Sequence, residues 1–373
     1  MDNSTSDLTS TAAGEPINRR PSDAASPATA AQVQTALIAP EGWDAYCQKF
    51  GYAGFHLQSQ WSDVFTSALK HKTYFIWCTQ GDQVVGVLPL SFVSGPLFGK
   101  FLASQPYLNT GGVLADNDHI SKLLIDEAIK LAEELDVKHL ELRHEQRIEH
   151  TGLNAENTEK VHMRLALPDS SDALWDNLKS KVRSQIRKPR SNEELTVQFG
   201  RHELLSDYYS IFCRNMRDLG TPPFPKSLFA DMLNKFPDDA EICTIFHNGT
   251  PAASGFLLHG PGTTLIPSAS ALREFNRLSV NMLMYWHALS RAIERGQHTF
   301  DFGRSSTDAG THKFKKQWGS EEFPAVWQYN SRKGSVSDAR PNSGKYDMMI
   351  ATWQKLPVWL TKLIGPTIVR GIP

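Results

Sequence analysis

The sequence has few cysteines, almost no net charge and no long apolar run. Its 373 residues include four cysteines, which form no Cys-x-x-Cys pair and show no metal-ligand spacing. The formal net charge of −1 excludes a global field that would attract nucleic acid or membrane. No stretch reaches the roughly 18 apolar residues of a membrane span. The sequence therefore predicts a cytoplasmic globular protein with reduced thiols, no metal site and only local anion binding.

Aromatic residues are missing from the first 36 positions, which are rich in Ser, Thr, Ala and Pro. Such a segment cannot bury enough apolar surface to offset the entropy of ordering it, so we predict that residues 1–36 are disordered. The other end differs. Residues 336–373 form a tail, in which Met348–Val369 contains several Trp, Leu and Ile residues, two lysines and two prolines that limit helix length. The tail is expected either to pack back on the protein or to lie at a membrane interface.

Two stretches between these ends share one organisation. Each begins with an apolar run, a Gly-containing turn and a second apolar run, and continues into an amphipathic helix and a closing strand. The turn glycines Gly81 and Gly249 and the strand glycines Gly86 and Gly255 are separated by nearly the same offset. This pattern indicates a duplication, with chance pairing of two α/β halves as the alternative. We predict that residues 37–167 and 168–335 are the two halves.

The stretch Phe300–Gly319, FDFGRSSTDAGTHKFKKQWG, carries the strongest functional signal. It is predicted to begin as a strand that Gly303 ends, and to continue through a polar loop into a short helix. Arg304 and the lysines of that helix, Lys313, Lys315 and Lys316, then flank the strand end. Such clustering suits an anionic ligand or a developing oxyanion, whereas a solvated basic helix is the alternative. Asp301 is expected either to accept a proton or to make structural hydrogen bonds.

A second basic element is predicted as a helix over Ala173–Lys188. Six cations and no acidic residue occur among the twelve residues Lys179–Arg190, although the chain as a whole is nearly neutral. A purely solvated helix normally mixes charges of both signs. The helix is therefore expected either to bind phosphate, through residues that include Lys181, Arg183 and Arg187, or to be an ordinary surface helix.

The Phe300–Gly319 stretch resembles the hallmark of FemAB-like acyltransferases, the branch of the GNAT superfamily that includes peptidoglycan-bridge aminoacyl transferases. The likeness consists of strand–Gly–Arg–Ser, Gly–Thr–aromatic–x–Phe–Lys and Trp–Gly, with His312 where many relatives carry tyrosine. PYLNTGGVL, which contains Tyr107 and Asn109, resembles a Fem-like turn beside the groove of the first half, although a strand-ending loop that needs glycines is the alternative. The sequence is most similar to FemAB-type proteins associated with exosortase and PEP-CTERM systems.

The resemblance implies an α+β fold of tandem GNAT-like repeats, with mixed sheets flanked by helices. It also implies an acyl- or aminoacyltransferase that acts on a cell-envelope or exopolysaccharide precursor. Phe314–Lys315 matches the family's functional pair, which makes Lys315 the catalytic cation and places Phe314 at the substrate. Arg304 is expected to orient the donor or a phosphate. The implied partners are a nucleotide- or lipid-linked glycan, a tRNA, and the inner face of the membrane through the tail.

The glycine-rich loop with which many GNAT enzymes cradle the pyrophosphate of acyl-CoA is missing. Gln105–Val113 has the wrong glycine spacing, and Arg273–Asn281 has no glycine. No cofactor-binding residue can therefore be assigned, and the donor is either acyl-CoA or aminoacyl-tRNA. An acyl-CoA-dependent N- or O-acetyltransferase and a non-catalytic GNAT module that binds a glycan precursor stay open as alternatives.

Overall fold

Two mixed β-sheets organise the part of the chain that this computed structural model describes, residues 30–96, 98–333 and 347–372. The strands that precede the middle of the chain are β1 Ala31–Ala36, β2 Lys72–Gln80, β3 Gln83–Gly95, β4 Gly99–Ala103, β5 Leu114–Ala115, β6 His139–His144 and β7 Ala155–Asn157. The remaining strands are β8 Lys160–Ala166, β9 Leu195–Gly200, β10 Ala240–His247, β11 Thr250–Gly260, β12 Thr263–Ala271, β13 Thr299–Ser306, β14 Glu321–Pro324 and β15 Val326–Ser331. The first sheet has the order β1-β2-β3-β4-β6-β15-β7, with β5 paired to β3, and the second has the order β14-β8-β13-β12-β11-β10-β9.

Helices cover the faces of these sheets and connect the strands. They are α1 Trp43–Gln48, α2 Gly51–Phe55, α3 Gln60–Leu69, α4 Asp118–Glu134, α5 Ser171–Asn177, α6 Ser180–Arg190, α7 Leu205–Leu219, α8 Lys226–Lys235, α9 Val280–Glu294, α10 Gly310–Lys316, α11 Asp347–Lys355 and α12 Val358–Val369. A 3₁₀ turn, Arg273–Leu278, precedes α9. Within the described ranges, no helix is long and apolar enough to cross a membrane.

The two halves repeat one topology, as the sequence predicts. In the first half the β2–β3 hairpin is followed by β4, the crossover helix α4 and β6, which pairs with β4 in parallel. In the second half the β10–β11 hairpin is followed by β12, α9 and β13, which pairs with β12 in parallel. A parallel pair needs a crossover connection, so the helix in each half follows from the strand pairing. The predicted α+β tandem GNAT-like fold is confirmed.

The strand glycines of the repeat lie where each crossover helix approaches its sheet. A Cβ atom added at Gly86 would lie 2.6 Å from Ile120 Cγ2 on α4. One added at Gly255 would lie 3.0 Å from Ile266 Cδ1 and 3.4 Å from Met284 Sδ on α9. Both strands therefore need a residue without a side chain beneath the helix, which explains the constant offset between the two glycines.

A shared apolar cluster joins the halves. Phe55, Trp61 and Phe65 of the first half are buried in it together with residues of α7 and α8, among them Tyr208, and with Phe236, which follows α8. Trp61 and Phe236 lie with their ring centroids 4.5 Å apart. The halves consequently share a buried core in addition to the core of each sheet.

Strand exchange also links the halves. Strand β8 lies within predicted half 37–167 but belongs to the second sheet, whereas β15 lies within predicted half 168–335 and pairs between β6 and β7 of the first sheet. The predicted division at 167/168 thus does not separate the two sheets. Each half contributes one strand to the sheet of the other.

Three expectations about local structure are corrected. Residues 31–36 of the predicted disordered segment form β1, because pairing with β2 provides hydrogen-bond partners for their backbone and Val33 packs on the core of the first sheet. Residues 1–29 lie outside the described residues.

The helix predicted over Ala173–Lys188 is divided into α5 and α6, since Leu178 and Lys179 are extended. Gly303 does not end its strand. It forms a bulge, after which β13 continues to Ser306.

The tail packs on the protein where the structure describes it, from residue 347 to residue 372. Trp353 of α11 and Val369 of α12 are buried, and the Arg217 guanidinium donates to the carbonyl of Leu356 over 2.8 Å. The helices nevertheless present exposed apolar side chains, namely Met348, Met349, Trp359 and Leu363. Residues 336–346 of the predicted tail lie outside the described residues.

Candidate functional site

The site is organised by the bulge in β13. Gly303 has a φ of +74°, which favours glycine, and a Cβ atom there would lie 3.0 Å from the side-chain nitrogen of Asn109. The bulge turns the carbonyls of Gly303 and Arg304 toward α10, the short helix that follows. The sequence of this strand therefore prepares a polar cradle for a residue on α10.

Lys315 occupies that cradle. Its Nζ donates to the carbonyl oxygens of Gly303, over 3.1 Å, and Arg304, over 3.0 Å. The side chain is buried, and burial is the main reason why its pKa is lowered to about 8; the charges of Arg304 and Lys160 lower it further, against the opposing effect of Asp301. The third N–H of the ammonium has no acceptor among the described residues, so it is available to an oxygen of a ligand.

Asp301 is fully engaged beside this cradle. One carboxylate oxygen accepts the backbone N–H of Gly303 over 2.6 Å, and the other accepts from Tyr52 Oη over 3.2 Å and Arg164 Nε over 3.1 Å. Arg164 also pairs with Glu145. Of the two roles expected for Asp301, these contacts match the structural one: the carboxylate fixes the bulge and ties β13 to α2 and β8.

Arg304 stacks on Trp327 of β15, with the guanidinium carbon 3.5 Å from the ring centroid. Arg143 of β6 lies over the same ring, 3.9 Å from its centroid. Two carbons this near one ring centre would overlap if they shared a face, so the guanidiniums lie on opposite faces. The indole separates two like charges and gains cation–π contacts with both.

The two arginines differ in their remaining hydrogen bonds. Arg143 has an anionic partner, since it pairs with Glu141, and it also donates to the carbonyls of Pro106 and Leu108. Arg304 donates from Nε to the Asn109 side-chain oxygen over 3.3 Å. Its two terminal nitrogens have no acceptor among the described residues. Burial, followed by the charge of Arg143, lowers the pKa of Arg304 to about 9. Within the described part of the chain, this guanidinium therefore has no ion-pair partner.

Lys160, at the start of β8, is a fourth cation of the same cluster. Its pKa is lowered first by burial and then by the charges of Arg304 and Arg143. Lys160, Arg143, Arg304 and Lys315 thus converge from four different elements, and neighbouring positive charges lower the pKa of Lys160, Arg304 and Lys315. Binding an anion relieves this repulsion, so the cluster is suited to a phosphate, a carboxylate or an oxyanion.

A cavity of about 490 Å³ opens beside the cluster, a volume within the usual range for ligand sites. Its polar end contains Asn109, Arg143 and Arg304, next to Trp327. The rest of its wall is mainly apolar and comes from the loop after α7 and from α11 and α12. Tyr107 also lines the wall, and its hydroxyl lies 2.5 Å from His71 Nε2 and donates to the carbonyl of Arg370. Tyr107 thereby connects the cavity to the C-terminal segment.

Lys315 and Asp301 lie behind Arg304 in the cluster and do not line the cavity, and the four remaining predicted site residues do not line it either. Phe314 packs in the second core against Tyr285, with the ring centroids 5.0 Å apart. Lys181 and Arg187 are exposed on α6, and Arg183 is half-buried there and donates to the carbonyl of Asp176. None of the four lines the cavity. The predicted phosphate-binding face of α6 is consequently a separate surface, and its role stays a prediction.

Sequence reasoning missed Arg143, Lys160 and Trp327. Arg143 and Trp327 occur in ordinary alternating strands, and nothing in their local sequence distinguishes them. They meet because β15 pairs with β6, with Trp327 opposite Arg143. The four cysteines are buried and free. In the portion of the chain described, no group of three or more histidine, cysteine or acidic residues could hold a metal.

Comparison with known proteins agrees with this architecture. Residues 176–316 match the family described as acetyltransferase (GNAT) domain. The crystal structure of FemX superposes with a TM-score of 0.60 at 15% identity, over 79% of this chain and 96% of that one. The chain has a tandem GNAT fold. No curated protein matches the sequence.

Two further solved structures superpose with lower scores. A tandem GNAT protein from the clavulanic acid biosynthesis pathway has a TM-score of 0.52 at 10% identity, over 80% of this chain and 98% of its own. L-PGS from Bacillus licheniformis has a TM-score of 0.51 at 14% identity, over 88% of this chain and 98% of its own. At these identities, the likeness concerns the tandem GNAT fold alone.

Proposed function

We propose that this protein transfers an acyl or aminoacyl group to an amine or hydroxyl of a cell-envelope or exopolysaccharide precursor. The observation that carries the proposal is the buried ammonium of Lys315, which two main-chain carbonyls hold within a cluster of four cations. The GNAT match over residues 176–316, which includes Lys315, supports group transfer as the chemistry. The resemblance to FemAB-like proteins supports an acceptor from the cell envelope. The acceptor that we favour is a precursor of an exopolysaccharide made by an exosortase-associated system.

The reaction would pass through a tetrahedral intermediate. The acceptor nitrogen or oxygen attacks the carbonyl carbon of the donor, the π electrons move to the carbonyl oxygen, and the acceptor loses its proton. When the oxyanion collapses, the carbonyl re-forms and the donor's carrier leaves with the bonding electrons and takes up the proton that the acceptor lost. Lys315 would donate its free N–H to the oxyanion, and Arg304 would hold an anionic group of donor or acceptor. Asp301 would act through the bulge as a positioning residue.

The variant Lys315→Ala tests this role. Turnover should fall by at least ~100-fold, the scale of removing one oxyanion donor. Lys316 is the matched control, because it is exposed on the same helix and pairs with Glu322. Lys316→Ala should retain turnover within about twofold of wild type. Wild-type turnover in Lys315→Ala would remove Lys315 from the mechanism.

The donor is tested separately by calorimetry. A specific observation, the match to an acetyltransferase (GNAT) domain, favours acyl-CoA and hence an N- or O-acetyltransferase as the second candidate function. Saturable binding of acetyl-CoA or a longer acyl-CoA would assign this donor despite the missing glycine loop. Failure to bind at millimolar concentration, together with saturable binding of charged tRNA, would assign aminoacyl transfer.

A further inference from the structure

The cavity lining combines two kinds of surface. Arg304 offers the N–H groups of a guanidinium that has no ion-pair partner among the described residues. Much of the remaining wall is apolar and includes Ile350, Trp353 and Ile368 from α11 and α12. A small polar substrate would leave these walls in contact with water. An amphiphile with one anionic group would match both parts.

Part of the cavity lining is apolar and exposed. Leu219 and Met349 both line the cavity, although they are 58% and 53% exposed. Exposed apolar groups that belong to an apolar cavity wall give a hydrocarbon chain a path from a lipid surface to Arg304.

We propose that this cavity binds the hydrocarbon chain of a lipid phosphate, with the phosphate at the terminal nitrogens of Arg304 and the chain between α11, α12 and the loop after α7. A guanidinium matches a phosphate in geometry and charge. The inference rests on the proposed function, because it selects a lipid-linked acceptor over a nucleotide-linked one. It also gives α11 and α12 a role, because these helices would form the wall that covers the hydrocarbon chain.

Alkyl phosphates are suitable probes because they isolate the two features. Binding of butyl, octyl and dodecyl phosphate to the full-length protein would be measured by calorimetry below their micellar concentrations. One molecule should bind per chain, and affinity should rise by about three- to fourfold for each added methylene that is buried. Dodecyltrimethylammonium, which has the same chain and the opposite charge, should bind at least ~10-fold more weakly than dodecyl phosphate.

Two neighbouring methionines provide a matched pair of variants. Met349 lines the cavity, whereas Met348 is more exposed and does not. Met349→Glu should weaken dodecyl phosphate binding by at least ~10-fold, because it places a carboxylate in the path of the chain. Met348→Glu should change binding by less than about twofold. Since both side chains are exposed, neither variant should disturb the fold, and circular dichroism would verify this.

Either of two results would overturn the proposal: equal affinity for butyl and dodecyl phosphate, or equal effects of the two methionine variants. These measurements need no turnover, so they are independent of the proposed reaction. If Lys315→Ala were fully active while chain-length dependence held, the transfer mechanism would fail and the lipid site would stand. If Lys315→Ala were inactive and chain length had no effect, the transferase would stand with a soluble acceptor.

Discussion

At the scale of single residues, the pKa of Lys315 gives the reaction a defined pH dependence. Burial, followed by the charges of Arg304 and Lys160, lowers this pKa to about 8. Below pH 8 the ammonium is charged and can stabilise an oxyanion; above it the charge is lost. The benefit of Lys315 should therefore decline as the pH rises through about 8.

The ratio of wild-type turnover to that of Lys315→Ala isolates this effect, because ionisation of the acceptor affects both proteins and cancels. We expect the ratio to be constant below about pH 7 and to fall above pH 8. A ratio that increased through pH 8 would contradict the assignment, since it would mean that neutral Lys315 acts as a base.

Gly303 is a second residue with a specific requirement. Gly303→Ala should lower the free energy of unfolding by about 1–2 kcal/mol, because the bulge needs a left-handed conformation that a side chain disfavours. Gly310, at the start of α10, is the control. It lacks a positive φ and has open space around its Cα, so Gly310→Ala should be neutral or slightly stabilising. Urea unfolding of the two variants compares them directly; equal losses would show that the bulge conformation is not the cause.

The sequence predicted only part of the site, and the reason is separation along the chain. Lys315, Arg304 and Asp301 belong to one continuous stretch, so their clustering is visible without a structure. Arg143 and Trp327 are brought together by β6–β15 pairing, which no local pattern encodes. Phe314 and Lys315 are neighbours on α10 but point in different directions, Phe314 toward the core and Lys315 toward the bulge, so the role of Phe314 at the substrate stays a prediction.

At the scale of elements, α6 presents the clearest unassigned surface. Its apolar side, with Val182 and Ile186, is buried, and its basic side is exposed. If this face binds nucleic acid, the triple variant Lys181→Ala, Arg183→Ala, Arg187→Ala should bind tRNA more weakly. The slope of log K against log salt concentration should decrease by about 2 to 3, since each phosphate contact contributes about 0.7–0.9.

Removal of positive charge elsewhere is the control for that experiment. Lys49, Lys122 and Lys130 are exposed on the first half, and their replacement with alanine removes the same charge from another surface. This control should leave the salt slope unchanged. An unchanged slope in the α6 variant as well would assign α6 to an ordinary solvated helix.

Helices and strands could be predicted from the sequence where turn residues and hydrophobic periodicity alone determine them. The hairpins and the crossover helices follow from turn residues and periodicity, and the glycine offset located the repeat. The division between α5 and α6 was not predictable, because Leu178 continues the apolar pattern and is buried as a helical residue would be. Its extended conformation is imposed by packing in the second core. Here tertiary contacts override the local preference.

At the scale of the whole molecule, the exchanged strands make the halves interdependent. A chain that ends at residue 333 keeps β15, whereas one that ends at residue 325 leaves β6 without its antiparallel neighbour. We expect the longer chain to unfold cooperatively in thermal circular dichroism. The shorter chain should aggregate or unfold without a cooperative transition, because an open sheet edge remains. Identical transitions for the two chains would show that β15 is dispensable to the first sheet.

The position of β15 also sets a schedule for biosynthesis. The ribosome synthesises β6 long before it synthesises β15, Val326–Ser331. At about 5–20 residues per second, the delay between the two strands is roughly 10 to 40 s. During this interval the nascent first sheet lacks an inner strand and exposes backbone that can pair with another chain. The N-terminal half therefore cannot complete folding first, as domains synthesised in order usually do. Both halves should reach the native state together, after translation has passed residue 331, and chaperones that shield strand edges should raise the yield.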